Sequence, residues 1–538
     1  MTFYKFVLYA AVLVTALSLW NLWQQEHRPS TTVNPLNQAT TPVSSYPGVP
    51  TVVPSDTATV PPVANTVDPT QYITVTTDTV QYVIDRRGGN VIGSALLHYP
   101  QDLESPQTPF VLLSEHPRYI SQSGLTGTQG PDTPAGPAVY TSAQDQYRLV
   151  DTDDHMTVDL HWANSTGLEV TKRYVFYRGR YQATVDFIIH NGSTQPWQVY
   201  PYAQLQRAKP AKKSNVLSDR SFTGVAVSSP AHHYKKIRFS KLRKKPLKET
   251  IRDGWLAMTQ HYFLSAWVPP AGQAYDYYSS CDHHAVCVAG LVGTALNIAP
   301  QQTVKTGFTL YSGPAVTSQL QTVAPYLSMT VDYGWLWFIS SALFWVMKHL
   351  YDLLGNWGWA IVVLTLLIKL SFYGLSAKSY TSMAHMRRLQ PRMQQLKEQF
   401  GDDKQKLSQA MIEMYRTEKV NPLSGCLPVI VQIPVFIALY YMIIESIELR
   451  QAPFIFWIRD LSVADPWYIL PVTMGLLMLL QQRLNPPISD PIQRKVMLLF
   501  PAVFTLFCLA FPAGLVLYWI TNTALSMLQQ WWIMRTIT

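Results

Sequence analysis

Long charge-free runs are the strongest pattern in the chain, and they cluster at its two ends. A membrane span needs about 20 apolar residues. Phe6–Gln25 is such a run, bounded by Lys5 and Glu26. Bulky Leu19, Trp20, Leu22 and Trp23 stand where small residues would mark a cleavage site, so residues 1–25 read as an uncleaved signal-anchor span. The next candidates lie in the last third. Leu353–Ala377 holds one charge, Lys369, while Val420–Ile444 and Pro466–Gln482 hold none. Val496–Met534 is also free of charge but is about 58 Å long as a helix, too long for one span. Phe511-Pro512-Ala513-Gly514 divides it into a hairpin. The expectation is one anchor plus a five-span helical core over 355–538.

Between the ends the periodicity changes. Residues 26–70 are rich in Pro and Thr and read as an extended tether. From 71 to 325 apolar and polar residues alternate, as in Tyr72–Val75, Val80–Ile84, Leu168–Tyr177 and Tyr181–Ile189, with turns at Arg86–Asn90 and Arg178-Gly179-Arg180. Strands without helical interludes predict a large antiparallel β-sandwich. Residues 326–354 carry Trp335, Trp337, Phe338 and Trp345 beside Lys348, His349 and Asp352, which predicts an amphipathic helix lying along an interface. In 378–419, Met383, Met386, Leu389, Met393, Leu396 and Phe400 recur at spacings of three and four, and Leu407, Met411 and Met414 follow the Gly401-Asp402-Asp403 turn. That pattern predicts a helical hairpin, kinked at Pro391.

Only 14% of the 538 residues are charged, which excludes an ordinary soluble enzyme. The net charge of +9 gains meaning from its placement. With a cytoplasmic amino terminus, 378–419, 483–495 and the end of the chain carry 13 Lys/Arg inside, against two in 445–465 outside. The sandwich then lies outside the cytoplasm. Its basic run, Lys235–Arg252, reads as a solvated loop or as a contact for anionic headgroups or a partner.

Few residues suggest chemistry in the sandwich. Cys281, His283, His284 and Cys287 fit no strong zinc spacing, and the two cysteines either pair or simply sit in strands. Asp151, Asp153, Asp154 and His155 lack the glycine of a calcium loop and read as a polar turn. No nucleotide-binding or hydrolase motif is present, so no catalytic residue, metal or cofactor is expected. Lys369 is different. A lysine at mid-membrane costs about 2.5–3.5 kcal/mol. Either it snorkels to the cytoplasmic headgroups, or it faces a wet cavity with Thr365, Gln432 and Asn522. The cavity suits an insertase that attracts acidic client tails, or else a secondary transporter or channel with an intramembrane lysine site. A sugar-active enzyme would need a carboxylate pair that sequence cannot place.

The motifs of the last 210 residues resemble the YidC-type membrane protein insertases of Gram-negative bacteria, in the YidC/Oxa/Alb family. They are Val331-Asp332-Tyr333-Gly334-Trp335-Leu336-Trp337-Phe338, Gly355-Asn356-Trp357-Gly358, Leu389-Gln390-Pro391, Gly401-Asp402-Asp403-Lys404, Val420-Asn421-Pro422, Glu448-Leu449-Arg450-Gln451-Ala452-Pro453-Phe454 and Phe511-Pro512-Ala513-Gly514-Leu515. The resemblance implies a bacterial inner-membrane protein with a periplasmic sandwich and a hydrophilic groove whose positive charge is Lys369, where the family has arginine. It implies groove or client contacts at Thr365, Gln432, Tyr518, Trp519 and Asn522. It implies a hydrophobic slide at Phe436, Met474 and Phe507, and a cytoplasmic hairpin marked by Met383, Met386, Asp402 and Asp403. The implied partners are nascent membrane proteins, the Sec translocon, ribosome–nascent chain complexes and the lipid bilayer, with no specific nucleic-acid sequence. Gly374 replaces the family's usual proline, so the resemblance also implies a different bend there.

Overall fold

The computed structural model describes residues 71–127, 129–133, 136–208, 222–282, 286–401, 403–418, 427–484 and 491–537. The expected anchor and tether, Asp402, His283 and His284 lie outside the described residues.

The alternation in 71–325 becomes two β-sheets, of thirteen and nine strands. Leu168–Tyr177 shows why. Leu168, Val170, Lys172, Tyr174 and Phe176 are buried and their neighbours are not, because successive strand side chains point to opposite faces. This strand pairs with Gln182–Asn191 around Gly179, whose φ of +68° suits the tight turn. Inward side chains of both sheets form one apolar core that includes Val75, Tyr82, Leu125, Phe187, Trp255 and Leu310. The pairing is largely antiparallel. Tyr72–Thr76 with Gln146–Arg148, and Tyr119–Thr126 with Asp132–Thr133, are parallel exceptions. Cys281 and Cys287 face each other across adjacent strands and form a disulfide, with Cα atoms 4.0 Å apart. Among the described residues no cluster of His, Cys, Asp and Glu could hold a metal ion.

The basic run is not a solvated loop. Lys235–Arg238 and Lys248–Arg252 are strands, joined through helix α1, Phe239–Leu242. Phe239, Leu242, Leu247 and Ile251 are buried and fix its backbone to the sandwich. Helix α2, Thr317–Val323, closes the domain.

Helix α3, Trp337–Leu354, lies within the segment 326–354 expected to be one amphipathic helix, and is preceded by short 3-10 turns at Leu327–Thr330 and Gly334–Leu336. Ser340 and Met347 are buried, and the Ser340 hydroxyl donates to Ala438 O at 3.0 Å. Trp337, Phe338, Trp345 and Leu353 stay exposed. Gly355, at φ +66°, ends the helix by donating to Tyr351 O. Asn356 then caps α4, Trp357–Ser371, by accepting from the Trp359 amide at 3.1 Å.

The window Leu353–Ala377 is not one straight helix. It takes in the end of α3, all of α4 and the start of α5, Tyr373–Arg388, which turns 67° from α4 at Phe372. The Ser371 hydroxyl bonds to Leu367 O at 3.0 Å and competes with the helical ladder just before the bend. Pro391 also acts differently from expectation. The helix stops at Leu389, and Pro391 sits in the first turn of a new one, α6, Gln390–Gln399, where its missing N–H costs nothing. Helix α7, Lys404–Thr417, returns beside α6 through a Tyr415 hydroxyl–Met393 Sδ contact at 3.4 Å and an Arg392–Glu418 ion pair.

The remaining helices are α8, Leu427–Glu445; α9, Ile469–Leu484; α10, Pro491–Cys508; and α11, Ala513–Ile537. The break at Pro512 separates the last two, as expected, and the Gly514 amide ties it to Leu461 O at 2.9 Å. Among the described residues no single helix is long and apolar enough to cross a membrane. The bent pair α4 and α5 together meets that measure.

The two parts of the molecule are joined at the loop after α8. The Arg450 guanidinium donates to Pro100 O at 2.8 Å and Gln101 O at 3.1 Å, and lies over the stacked rings of Phe110 and Phe263. His261 Nε2 lies 2.9 Å from Ile444 O, and the Tyr333 and Ser446 hydroxyls are 3.5 Å apart. Burial pushes the His261 imidazole down to about 4, so it is neutral at pH 7 and donates to that carbonyl.

Candidate functional site

Three helices bring polar side chains together inside the helical part. On α4, Thr365 and Lys369 are one turn apart. On α8, Gln432 and Phe436 are one turn apart. On α11, Tyr518, Asn522 and Ser526 follow at four-residue spacing, which places them on one face. The stripes meet side to side. Lys369 Nζ donates to Ser526 Oγ at 2.7 Å. The Ser526 hydroxyl in turn donates to Asn522 O, also at 2.7 Å. Gln432 Nε2 donates to Asn522 Oδ1 at 2.5 Å. The chain Lys369–Ser526–Asn522–Gln432 thus crosses all three helices.

Each neighbour has a defined place. Thr365 is buried, and its hydroxyl is used within its own helix, on Ile361 O at 2.7 Å. Lys369, Gln432 and Asn522 are only partly buried, so the polar chain keeps contact with its surroundings. Phe436 packs on Tyr518 and Trp519, at ring separations of 6.2 and 4.8 Å. Phe504 reaches Trp519 from α10 at 4.7 Å. The polar chain therefore has an aromatic wall along one side.

Residues implied as the slide differ from one another. Phe507 is exposed on α10 and stacks edge-on with Phe511 at 4.8 Å. Phe436 is partly buried. Met474 is fully buried on α9, among Leu439, Met442 and other core residues, which removes it from any displayed surface in this structure. Gly475 beside it allows α10 to approach so closely that a Cβ would stand 2.3 Å from Thr505 Oγ1.

On the hairpin, Asp403 caps α7 by accepting from the amides of Gln405 and Lys406 at 3.2 and 3.1 Å. The Lys406 amide, the main cause, holds the Asp403 carboxyl below the usual carboxylate range. Met383 and Met386 are on α5, above the hairpin proper, and are partly buried.

Ser526 was not among the expected residues. Its signal was present, because the step from Tyr518 to Asn522, repeated once, arrives at it. Serine in an apolar helix carries little weight until a cation is found beside it. Tyr380 of α5 also approaches the Ser526 hydroxyl.

Comparison with known proteins accounts for almost the whole chain. Residues 72–346 match the family model of the YidC periplasmic domain, and residues 349–538 match that of the 60Kd inner membrane protein. The chain is 43% identical to the membrane protein insertase YidC of Coxiella burnetii (strain Dugway 5J108-111), over 99% of this chain and 96% of that one. It is 46% identical to the insertase of the same name from Stutzerimonas stutzeri (strain A1501), over 87% and 84%. A solved structure described as an active YidC insertase with its first transmembrane domain resolved aligns with 86% of this chain and 92% of its own, at 18% identity and a TM-score of 0.38. These relatives bear the name of an insertase rather than of an enzyme. The chain belongs to the YidC family of membrane protein insertases, with a β-rich periplasmic domain followed by a helical carboxy-terminal region.

Proposed function

We propose that this chain inserts and helps fold inner-membrane proteins, and that Lys369 is the charge that draws in acidic client tails. The observation that carries the reading is the hydrogen-bonded chain Lys369–Ser526–Asn522–Gln432, which gathers the polar faces of three otherwise apolar helices. Polar groups of this kind inside a helical membrane bundle line a bundle interior or an aqueous path. The chain sits in the membrane by an anchor near its amino terminus and five later spans, with the amino terminus and the α6–α7 hairpin in the cytoplasm.

An acidic tail entering from the cytoplasm meets Lys369 in a low-dielectric setting, where attraction outweighs that in bulk water. Lysine is a point charge without the planar fork of arginine. The bond to Ser526 supplies a fixed direction that the side chain alone lacks. The client's apolar segment leans on Phe436, Trp519 and Phe507, and Met474 supports that wall from behind. The tail leaves outward with about 2.3 kcal/mol per charge per 100 mV of membrane potential. Transfer of the apolar segment into lipid supplies the larger drive, and no nucleotide is consumed. The hairpin receives clients from ribosomes, and the Sec translocon shares part of the work.

The test is reconstitution into liposomes with a single-span client bearing an acidic tail, scored by protease protection. Wild type protects the client. Lys369→Ala loses at least tenfold in rate, and Ser526→Ala loses a few-fold with an acidic client and nothing with a neutral one. Insertion unchanged in Lys369→Ala reduces the lysine to a snorkelling residue. Absence of insertion in folded wild type, with uptake of a small solute instead, favours a transporter.

A further inference from the structure

The segment Lys235–Arg252 carries nine Lys/Arg and one acid, Glu249. A charge run in a loop ordinarily means only solvation, but here the backbone is held. Lys235–Arg238 pairs with Thr223–Ser228, Lys248–Arg252 pairs with Ala274–Cys281, and Phe239, Leu242 and Leu247 are sunk into the core between them. The charges are therefore displayed on a fixed surface. Lys235 is paired with Glu249, Lys236 with Asp332, and Arg252 donates to Gly272 O. Arg238, Lys241, Arg243, Lys244, Lys245 and Lys248 are exposed, and none forms an ion pair among the described residues.

The position of this surface narrows its partner. The Lys236–Asp332 ion pair ties its first strand to the segment that leads into α3. Trp335, Trp337 and Phe338 follow within six residues of Asp332, and all are exposed. Tyr234, just before the run, lies close to Asp332 and to Glu445 at the end of α8. A field of unneutralised cations thus adjoins a Trp-rich apolar surface, and tryptophan favours the headgroup level of a bilayer.

We propose that Arg238, Lys241, Arg243, Lys244, Lys245 and Lys248 bind anionic phospholipid headgroups on the periplasmic face and hold this edge of the sandwich against the bilayer. The inference rests on the membrane placement of the helices but not on the role of Lys369. Cations near an anionic surface are attracted within about one Debye length, 8–10 Å at physiological salt. A basic surface beside an apolar one supplies the two signals that stable membrane contact needs.

The full chain, with Cys426→Ser and Cys508→Ser and an environment-sensitive dye on Lys244→Cys, is placed in lipid nanodiscs. The discs contain phosphatidylcholine alone or mixed with phosphatidylglycerol. In the mixed discs the dye is expected to shift to the blue and gain several-fold protection from iodide quenching. Molar salt should remove both effects. Reversal of Arg238, Lys241, Arg243, Lys245 and Lys248 to Glu should abolish them while the β-sheet melts as before, since all five side chains are exposed. The same response is expected with Lys369→Ala, so a failure of the insertion mechanism reads separately. Identical spectra in both lipids, or a response that survives charge reversal, overturns the proposal. So does an equal response to a soluble acidic peptide in phosphatidylcholine discs, which would make the surface a station for polypeptide tails.

Discussion

The sandwich and the helical core treat polar groups in opposite ways. In the sandwich, Lys172 is wholly buried on the inward face of its strand. Its ammonium donates to Ser123 O at 2.6 Å and Gly88 O at 3.0 Å, and lies 5.4 Å from the Phe187 ring centre. Asp132, also buried, accepts from the Leu125 amide at 2.8 Å and sits so close over Gly124 that a Cβ there would meet it at 1.8 Å. Burial drives the Lys172 ammonium down and the Asp132 carboxyl up, and each opposes the shift in the other. Both groups are sealed from solvent. Lys369 in the helical core is bonded but left partly accessible, while apolar residues such as Phe456 and Leu353 cover the outside. One region hides charge to fix a single structure. The other leaves its charge partly accessible.

The contrast can be broken most severely at Lys172. Removing the ammonium strands the Ser123 and Gly88 carbonyls in the core, at about 1–3 kcal/mol for each buried acceptor left unsatisfied. Lys172→Met is expected to lower the unfolding free energy of the β-sheet domain by that amount, measured by circular dichroism of the full chain. Lys172→Met with Asp132→Asn should recover only the electrostatic part of the loss, since the two carbonyls stay without their donor. Helical melting should change little in either variant.

Arg450 gives a smaller effect, on the joint rather than on either part. Its two hydrogen bonds and ring contacts together contribute about 1–3 kcal/mol at a partly buried site. Arg450→Ala should speed hydrogen exchange across 446–454 and 99–101, with both melting transitions kept. Unchanged exchange would mean that the remaining contacts suffice.

The smallest effect concerns pH at the same joint. The folded pKa of His261 is about 4, below the ordinary 6.5. Protons therefore bind the undocked form more tightly between these values. Docking is at full strength above about pH 6.5 and weakens as pH falls toward 4. Protease cleavage in 446–454 should rise over that window, and His261→Gln should flatten the dependence. Other charged side chains lie near this joint, so the difference between the two proteins is the quantity to read.

Much of the architecture was legible because burial imposes a period. Leu168–Tyr177 was readable to the residue, since Leu168, Val170, Tyr174 and Phe176 keep the two-residue period on either side of Lys172. Phe511-Pro512-Ala513-Gly514 marked its hairpin for the same reason, a local signal strong enough to act alone. The bend at Phe372 was not legible as such, because Ser371 and Gly374 permit a bend without forcing one. The disulfide stood as one alternative until the register put Cys281 opposite Cys287, since strand pairing is not written in either strand alone. Among the site residues, Lys369 stood out as a lone charge. Its partner Ser526 did not, because a serine in a helix is ordinary until its neighbour is known. Met474 illustrates the reverse, since its side chain type suits a surface or a core equally well, and packing decided.

The break at Leu389 has a mechanical consequence. Helix α5 lies along α11, where Gln529 reaches Tyr373 O, whereas α6 buries none of its residues. The first behaves as a bearing and the second as an arm. A turn of about 10° at the break would sweep the far end of α6, about 15 Å away, through nearly 3 Å. Lys369, on the other side of the bearing, would stay where it is. The arm can sweep while the polar chain at Lys369 holds still.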